Sequence, residues 1–538
     1  MNNPPPVRTR RIAWVPLVIN FLGLAAITTV LVWPDLERNL TRWFLSAIAL
    51  LVLAVNLLWF VLTPRFSRRV RWSGLAVALL LIGAAKLSVK VNGTMDGTGL
   101  PRLAWKWSGN RVALNTPPPA TAPSPASSDP RLAQAADVPQ FFGPGRDGTV
   151  TGARLFRDWK ERPPKELWRQ PIGEGWSAFA VVQGRAYTQE QRGADELVSC
   201  YDLFTGTLLW AVAQPARFSQ WQSGDGPHAT PAVADGRVYA YGGTGVLQAI
   251  DAATGQSLWQ RSVLTENNQA NLEWGISASP LLVDDLVVVT GGNTEGPVLF
   301  AWQKATGAPV WQAGQDRATY ASPILTTLAG RRVILANHAR ALTVHDPATG
   351  AVLAAHAWGN AKWPKASQPV VVGSDRVFVS AGYGMGCLMV EFKPAPDGKF
   401  LTEEVWSGLK LKTQFNSPAL RGGYLYGLDD GRLACLDAAT GSRLWKEGRF
   451  ASGQSLLVDD QVVVQHEGGD VSLLGADPGG FKDYGTIAAL SSKTWNHPVL
   501  AGRYLLLRND REAVCYELPV NPPKVAKPNG LDRSGGGF

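Results

Sequence analysis

Three long apolar stretches open the chain, at residues 12–33, 43–63 and 73–89, each near the ~20 residues that a helix needs to cross a bilayer core. Lys86 lies close enough to the end of the third for its ammonium to reach the headgroups. An interfacial or hairpin helix is the alternative for that stretch. The first has no Ala-x-Ala site before Trp33-Pro34 and is followed by two more, which favours a retained anchor over a cleaved signal. From Gln140 onward the pattern changes. Short runs alternate apolar and polar residues, as in PAVADGRVYAY and PLLVDDLVVVTG, and Gly or Asp breaks each one: the period of half-buried strands joined in hairpins.

These runs repeat. The unit Asp-x-x-Thr-Gly-x-x-x-Trp appears as YDLFTGTLLW, IDAATGQSLW and LDAATGSRLW, closed by Trp210, Trp259 and Trp445; weaker copies carry Gln303 for the Asp or Ala354 for the Trp. The Asp folds back on its own backbone, the Gly supplies positive φ, and the Trp is expected between neighbouring sheets. A second turn signal recurs at Gly184, Gly236, Asp285, Gly330, Asp375, Gly423, Asp460 and Gly502, spaced 37 to 52 residues apart. Eight units of that length predict an all-β eight-bladed propeller of four-stranded antiparallel blades, preceded by three transmembrane α-helices. The last unit stops at Leu518 without a fourth strand, so residues 166–170 are predicted to pair with residues 513–517 and lock the ring.

This gives a membrane domain at 1–91, an extracytoplasmic connector with a Pro/Ala/Ser linker at 92–137, the propeller at 138–521 and a polar, Gly-rich tail at 522–538. Between the third helix and the linker, Trp105 and Trp107 belong either at the membrane interface or in a small strand.

Net charge is +9, but its placement decides more than its size. Residues 1–136 hold 15 Lys/Arg against 4 Asp/Glu, leaving 37 against 39 in the remainder. The folded part is therefore near neutral, which argues against nucleic acid as a partner. Arg8, Arg10 and Arg11 precede the first helix and Arg65, Arg68, Arg69 and Arg71 fill the second loop, while Asp35 and Glu37 offset Arg38 and Arg42 in the first. The positive-inside rule then keeps the amino terminus and second loop in the cytoplasm and delivers the propeller to the periplasm or the cell exterior, anchored in a bacterial inner membrane.

The repeat resembles the pyrroloquinoline-quinone (PQQ) propeller repeat, and QFFGPGRDGTV at residues 140–150 followed by ELW resembles the entry segment of bacterial PQQ-like proteins. Two branches share that resemblance. One contains quinoprotein dehydrogenases, including a membrane glucose dehydrogenase with amino-terminal helices; the other, closer in size, is similar to the non-catalytic propeller lipoprotein of outer-membrane barrel assembly. The first branch implies PQQ and calcium, the latter needing clustered oxygen ligands, and often a disulfide between adjacent cysteines. Cys200, Cys387, Cys435 and Cys515 are dispersed. Three share one strand position of the repeat, Cys387 is a candidate for the same position, and all four read as small buried core residues. No haem site, nucleophile elbow, Walker loop or metal-spaced His cluster is present, so no catalytic, cofactor or metal residues are assigned.

One constellation remains. The position before each innermost strand reads Trp176, His228, Trp274, Tyr320, Trp363, Phe415, Gln454 and Trp495, with Glu273, Lys365, Asn416 and Asn496 beside them. These residues either fill wedges between blades or form an aromatic channel mouth suited to a peptide, glycan or small ligand. The function expected is a membrane-tethered scaffold that binds an envelope protein or ligand without chemistry and without a cofactor. A PQQ-dependent sugar or alcohol dehydrogenase feeding membrane quinone is the alternative, and a glycan-binding or sensor module the third reading.

Overall fold

The computed structural model describes residues 14–33, 36–108, 114 and 129–522. Arg8, Arg10 and Arg11, most of the Pro/Ala/Ser linker and nearly all of the tail lie outside the described residues. Three helices come first: α1 (Trp14–Val32), α2 (Arg38–Leu62) and α3 (Arg68–Ser88), all long and apolar enough to span a membrane. α2 starts five residues earlier than its apolar stretch, because its first turn is polar. α3 likewise begins at Arg68, where the Ser67 hydroxyl accepts from Val70 N at 3.4 Å. Three of the four arginines expected in the second loop are thus in the first turn of α3. Strands β1 (Val89–Thr94) and β2 (Pro101–Trp105) follow as an antiparallel hairpin, which places Trp105 in a strand, its ring stacked on Trp107 at 5.1 Å.

The rest is an eight-bladed propeller of four-stranded antiparallel blades. Blades 1 to 7 run in sequence order from Ala180 to Ala488, and all eight predicted first-hairpin turns fall between the two innermost strands of a blade. Blade 7 carries an extra inner strand, β3 (Thr149–Val150), paired in parallel. Blade 8 combines Val499–Glu517 with β4 (Lys165–Pro171), whose register sets Trp168 opposite Cys515. Residues 129–137, expected in the linker, instead pack on blades 8 and 1: Leu132 and Ala135 lie against their shared core, and Gln183 N donates to Asp137 at 2.8 Å.

The repeat motif explains how blades adhere. Asp202, Asp251, Asp346 and Asp437 each accept from two backbone amides and a threonine hydroxyl of their own turn. The turn glycine then serves the preceding blade. Trp168, Trp210, Trp259, Trp311 and Trp406 lie on Gly206, Gly255, Gly307, Gly350 and Gly441 of the next blade, where a Cβ would come within 2.5–2.9 Å of the indole. Trp406 escapes the motif because blade 5 turns through Pro-Asp-Gly instead. All four cysteines are free and buried. Cys200, Cys435 and Cys515 face Trp210, Trp445 and Trp168 across their strands, whereas Cys387 faces Gly408 and Met389 takes the Trp-facing position.

Candidate functional site

Segments of the chain cross both ends of the central channel. Residues 138–148 cross one end. Val138 pairs with Val181 of blade 1, Pro139 O accepts from Val233 of blade 2, and the Arg146 guanidinium donates to Ser279 O and Pro280 O at the entry to blade 3. Phe141 and Phe142 pack on His497 there, with ring centroids 5.8 and 4.2 Å away.

The other end is the face on which the aromatic mouth was expected. It is capped by the segment joining α1 to α2 and by the tip of the β1–β2 hairpin. The Glu37 carboxylate, buried, accepts from Tyr383 N at 2.8 Å and Gly384 N at 2.6 Å. Arg38 N donates to Asp430 at 2.9 Å, and its guanidinium donates to Ser452 Oγ at 2.8 Å and stands 3.5 Å from Glu467. Glu467 is the hub: it also accepts from Gly97 N, from Ser452 N at 3.1 Å and from Trp495 Nε1 at 2.6 Å. Lys493 Nζ sits 4.1 Å over the Trp495 ring and donates to Thr94 O and Oγ1 at 3.2 and 3.1 Å. Thr94 Oγ1 donates in turn to Gln222 O. Arg42 pairs with Asp96, and Trp43 Nε1 donates to Thr98 O at 3.0 Å, tying α2 to the hairpin. Burial raises the Asp430 carboxyl to about 6 against the pull of Arg38, and it lowers Lys493 despite nearby Glu467.

Between cap and floor lies a cavity of about 700 Å³. Trp176, His228, Glu273, Trp274, Tyr320, Trp363, Phe415, Gln454 and Trp495 line it together with Asn39, Leu40 and Trp43 of α2. Trp495 lies 5.0 Å from Trp176 and 5.6 Å from Phe415, while Trp274 stacks on Tyr320 and Trp363 on Tyr383. Lys365, Asn416 and Asn496 do not line it. Each is buried and holds the frame: Lys365 Nζ donates to His338 O and Trp358 O, Asn416 Nδ2 to Ser455 Oγ, and Asn496 Nδ2 to Ser177 O. Burial pushes Lys365 down to about 7. The sequence pattern missed Glu37, Arg38, Thr94, Gly97, Glu467 and Lys493. A carboxylate at residue 37, in a short connection between two long apolar stretches, was the signal for the first of them.

Eight four-stranded blades, a repeat tryptophan seated on the next blade's turn glycine, and an amino-terminal strand completing the last blade define a PQQ-like β-propeller. The family model described as outer membrane protein assembly factor BamB matches residues 160–272 and 194–447. The chain belongs to that family. BamB of Xanthomonas campestris is 27% identical over 287 residues, covering 52% of this chain and 68% of that protein. Quinohemoprotein alcohol dehydrogenase ADH-IIG of Pseudomonas putida is 28% identical over 239 residues, 40% of this chain and 32% of that enzyme's length. The crystal structure of BamB from Moraxella catarrhalis is 16% identical with a TM-score of 0.49, covering 66% of this chain and all of that one.

The acidic side chains available to a hard cation are few. Such a cation takes six to eight oxygen ligands, and among the described residues no three His, Cys, Asp or Glu side chains converge. The cavity wall offers Asp96, paired with Arg42, and Glu273 at the rim as its carboxylates.

Proposed function

We propose that this protein is a propeller held by three helices on the extracytoplasmic face of a bacterial inner membrane, where it binds an envelope protein or ligand without carrying out chemistry or holding a quinone. The observation that carries this reading is the cap. The connection after α1 and the hairpin after α3 both dock into one face of the propeller, so the propeller lies on their side of the bilayer, and the arginine-rich turn at Arg65–Arg71 lies on the other. Arginine-rich connections stay cytoplasmic. The assembly-factor relative, matched over two thirds of its length, supports a binding role.

Labelling of single-cysteine variants in intact cells tests the topology. With the native cysteines buried, Ser108→Cys is expected to react with a membrane-impermeant maleimide and Ser67→Cys is not; the reverse pattern overturns the reading. The match to a quinohemoprotein dehydrogenase favours the alternative enzyme reading. Dye-linked oxidation of alcohols or sugars after adding PQQ with calcium would establish it and displace the scaffold.

A further inference from the structure

The cap fixes which face of the propeller meets the bilayer. Glu37 and Arg38, at the start of α2, are bonded to Tyr383, Gly384 and Asp430 in turns of blades 5 and 6. The apolar stretch of α2 begins at Trp43, and at 1.5 Å per residue that is at most about 8 Å further along the helix. A headgroup layer is about 5–8 Å deep. Those turns therefore lie in it, and so do the connections between blades, which leave the propeller on the same face.

This face is electrically divided. The four connections that run from blade 4 to blade 8, residues 358–369, 409–418, 448–453 and 489–498, carry Lys362, Lys365, Lys410, Lys412, Arg449 and Lys493 and no Asp or Glu. The other four, residues 172–179, 215–231, 263–280 and 314–323, carry Arg217 and Arg317 against Glu174, Asp225, Glu266, Glu273 and Asp316. Within the basic arc, Lys365 is held in the frame and Lys493 in the cap. Lys412 Nζ stands 3.4 Å from the buried Asp429 carboxylate and donates to Leu409 O at 3.1 Å, which leaves Leu409 and Lys410 facing outward, both exposed. Lys362 and Arg449 are exposed as well, and among the described residues no carboxylate pairs with Lys362, Lys410 or Arg449. The nearby carboxylates are taken: Asp430 by Arg38, Glu467 by the cap and Glu447 by Arg432 at 3.4 Å. Exposed apolar side chains mark the same face. Outside its outer strands, the described propeller exposes Trp221, Trp363 and Leu409, all in these connections, and no large apolar side chain in the turns at the opposite end.

We propose that the basic arc rests on anionic phospholipid headgroups of the bilayer that holds the three helices, with Lys362, Lys410 and Arg449 against phosphates and Leu409 among the glycerol groups below them. Lys and Arg near an anionic leaflet are each drawn to it, and an apolar neighbour adds contact within the interface. The acidic arc is not drawn there, so the propeller leans on the side of blades 5 to 7. An acidic polypeptide would have to reach the same depth, which the headgroups already fill. The inference rests on the three helices as membrane spans and not on the side of the membrane to which the propeller is delivered.

The full chain carrying Leu409→Cys, labelled with bimane, is placed in nanodiscs of phosphatidylcholine alone or mixed with phosphatidylglycerol, each disc containing a lipid with a nitroxide on its headgroup. The native cysteines are buried and take no label. Quenching is expected to be about twofold stronger in the anionic discs and to fall to the zwitterionic level in about 0.5 M salt. The triple variant Lys362→Glu, Lys410→Glu, Arg449→Glu is expected to abolish the difference and the milder Lys410→Gln to reduce it, both at unchanged circular dichroism. Ser442→Cys, in a turn at the opposite end of blade 6, is the unquenched control. Equal quenching in the two kinds of disc, or a difference that survives the triple variant, overturns the proposal. Quenching at background in both also overturns it and gives the arc to an acidic protein partner. Maleimide labelling that placed the propeller in the cytoplasm would remove the proposed topology alone, since the lipid contact is decided by the quenching.

Discussion

Trp168 and Cys515 face each other across the seam that closes the ring, and the Trp168 indole N–H donates to Leu203 O of blade 1 at 2.8 Å. One side chain therefore joins the borrowed strand to blade 8 on its own sheet and to blade 1 through its edge. Trp168→Ala leaves the backbone pairing in place but removes the bond to Leu203 and the packing against Cys515 and blade 1. Large-to-small truncation of a buried tryptophan costs about 3–5 kcal/mol, and calorimetry is expected to show a correspondingly lower Tm with earlier proteolysis near the seam. An unchanged Tm would mean that the ring is closed by something else.

Two glycines with nearly equal backbone angles separate conformational from packing effects. Gly236 has φ +70° with open space around it, and Gly255 has φ +75° with the Trp210 ring 2.9 Å from a built Cβ. Gly236→Ala is expected to cost about 1–2 kcal/mol, the price of a left-handed alanine. Gly255→Ala is expected to cost more, because the ring must also move. Equal losses in denaturant titrations would refute the seating of Trp210 on that turn.

Glu196 reports on pH. Burial raises its carboxyl to about 7, against backbone donors at Gly243 and Thr244, from an ordinary value of 4.5. Between those values the folded protein holds a proton that the unfolded chain has released, so this group stabilises the fold progressively as pH falls from about 7 toward 4.5 and opposes it above 7. Glu196→Gln is expected to raise Tm most at pH 8, the gap over the parent narrowing by pH 5. A gap independent of pH would contradict the raised value.

Gly97 lets the hairpin tip approach Phe415 and Ser452, where a side chain would collide with both. Gly97→Val is expected to lift the cap while leaving the blades folded. The readout is stronger acrylamide quenching of tryptophan fluorescence at unchanged circular dichroism; quenching equal to that of the parent would indicate that the cap docks elsewhere.

Blade number, turn positions, the interlocking tryptophans and the closing strand were legible in the sequence because each is periodic or completes a period. The cap was not. Glu37 meets Tyr383 and Gly384 across more than three hundred residues, and no local pattern announces such a pairing; counted as a charge, Glu37 only offset a nearby arginine. Lys365, Asn416 and Asn496 were grouped with the mouth because they adjoin its aromatics in sequence. On an extended segment immediate neighbours point opposite ways, so Asn416 and Asn496 turn into the frame behind Phe415 and Trp495, while Lys365, two residues beyond Trp363, is drawn there by the carbonyls of His338 and Trp358.

The register of the last blade also sets an order of events during synthesis. Trp168 leaves the ribosome 347 residues before Cys515, so the borrowed strand must wait with an unpaired edge while seven blades form beside it. A chain interrupted before Glu512 would keep that edge bare and its tryptophan unhoused. Synthesis of the last blade is thus inspected by the fold itself, at the join between β4 and the final strand.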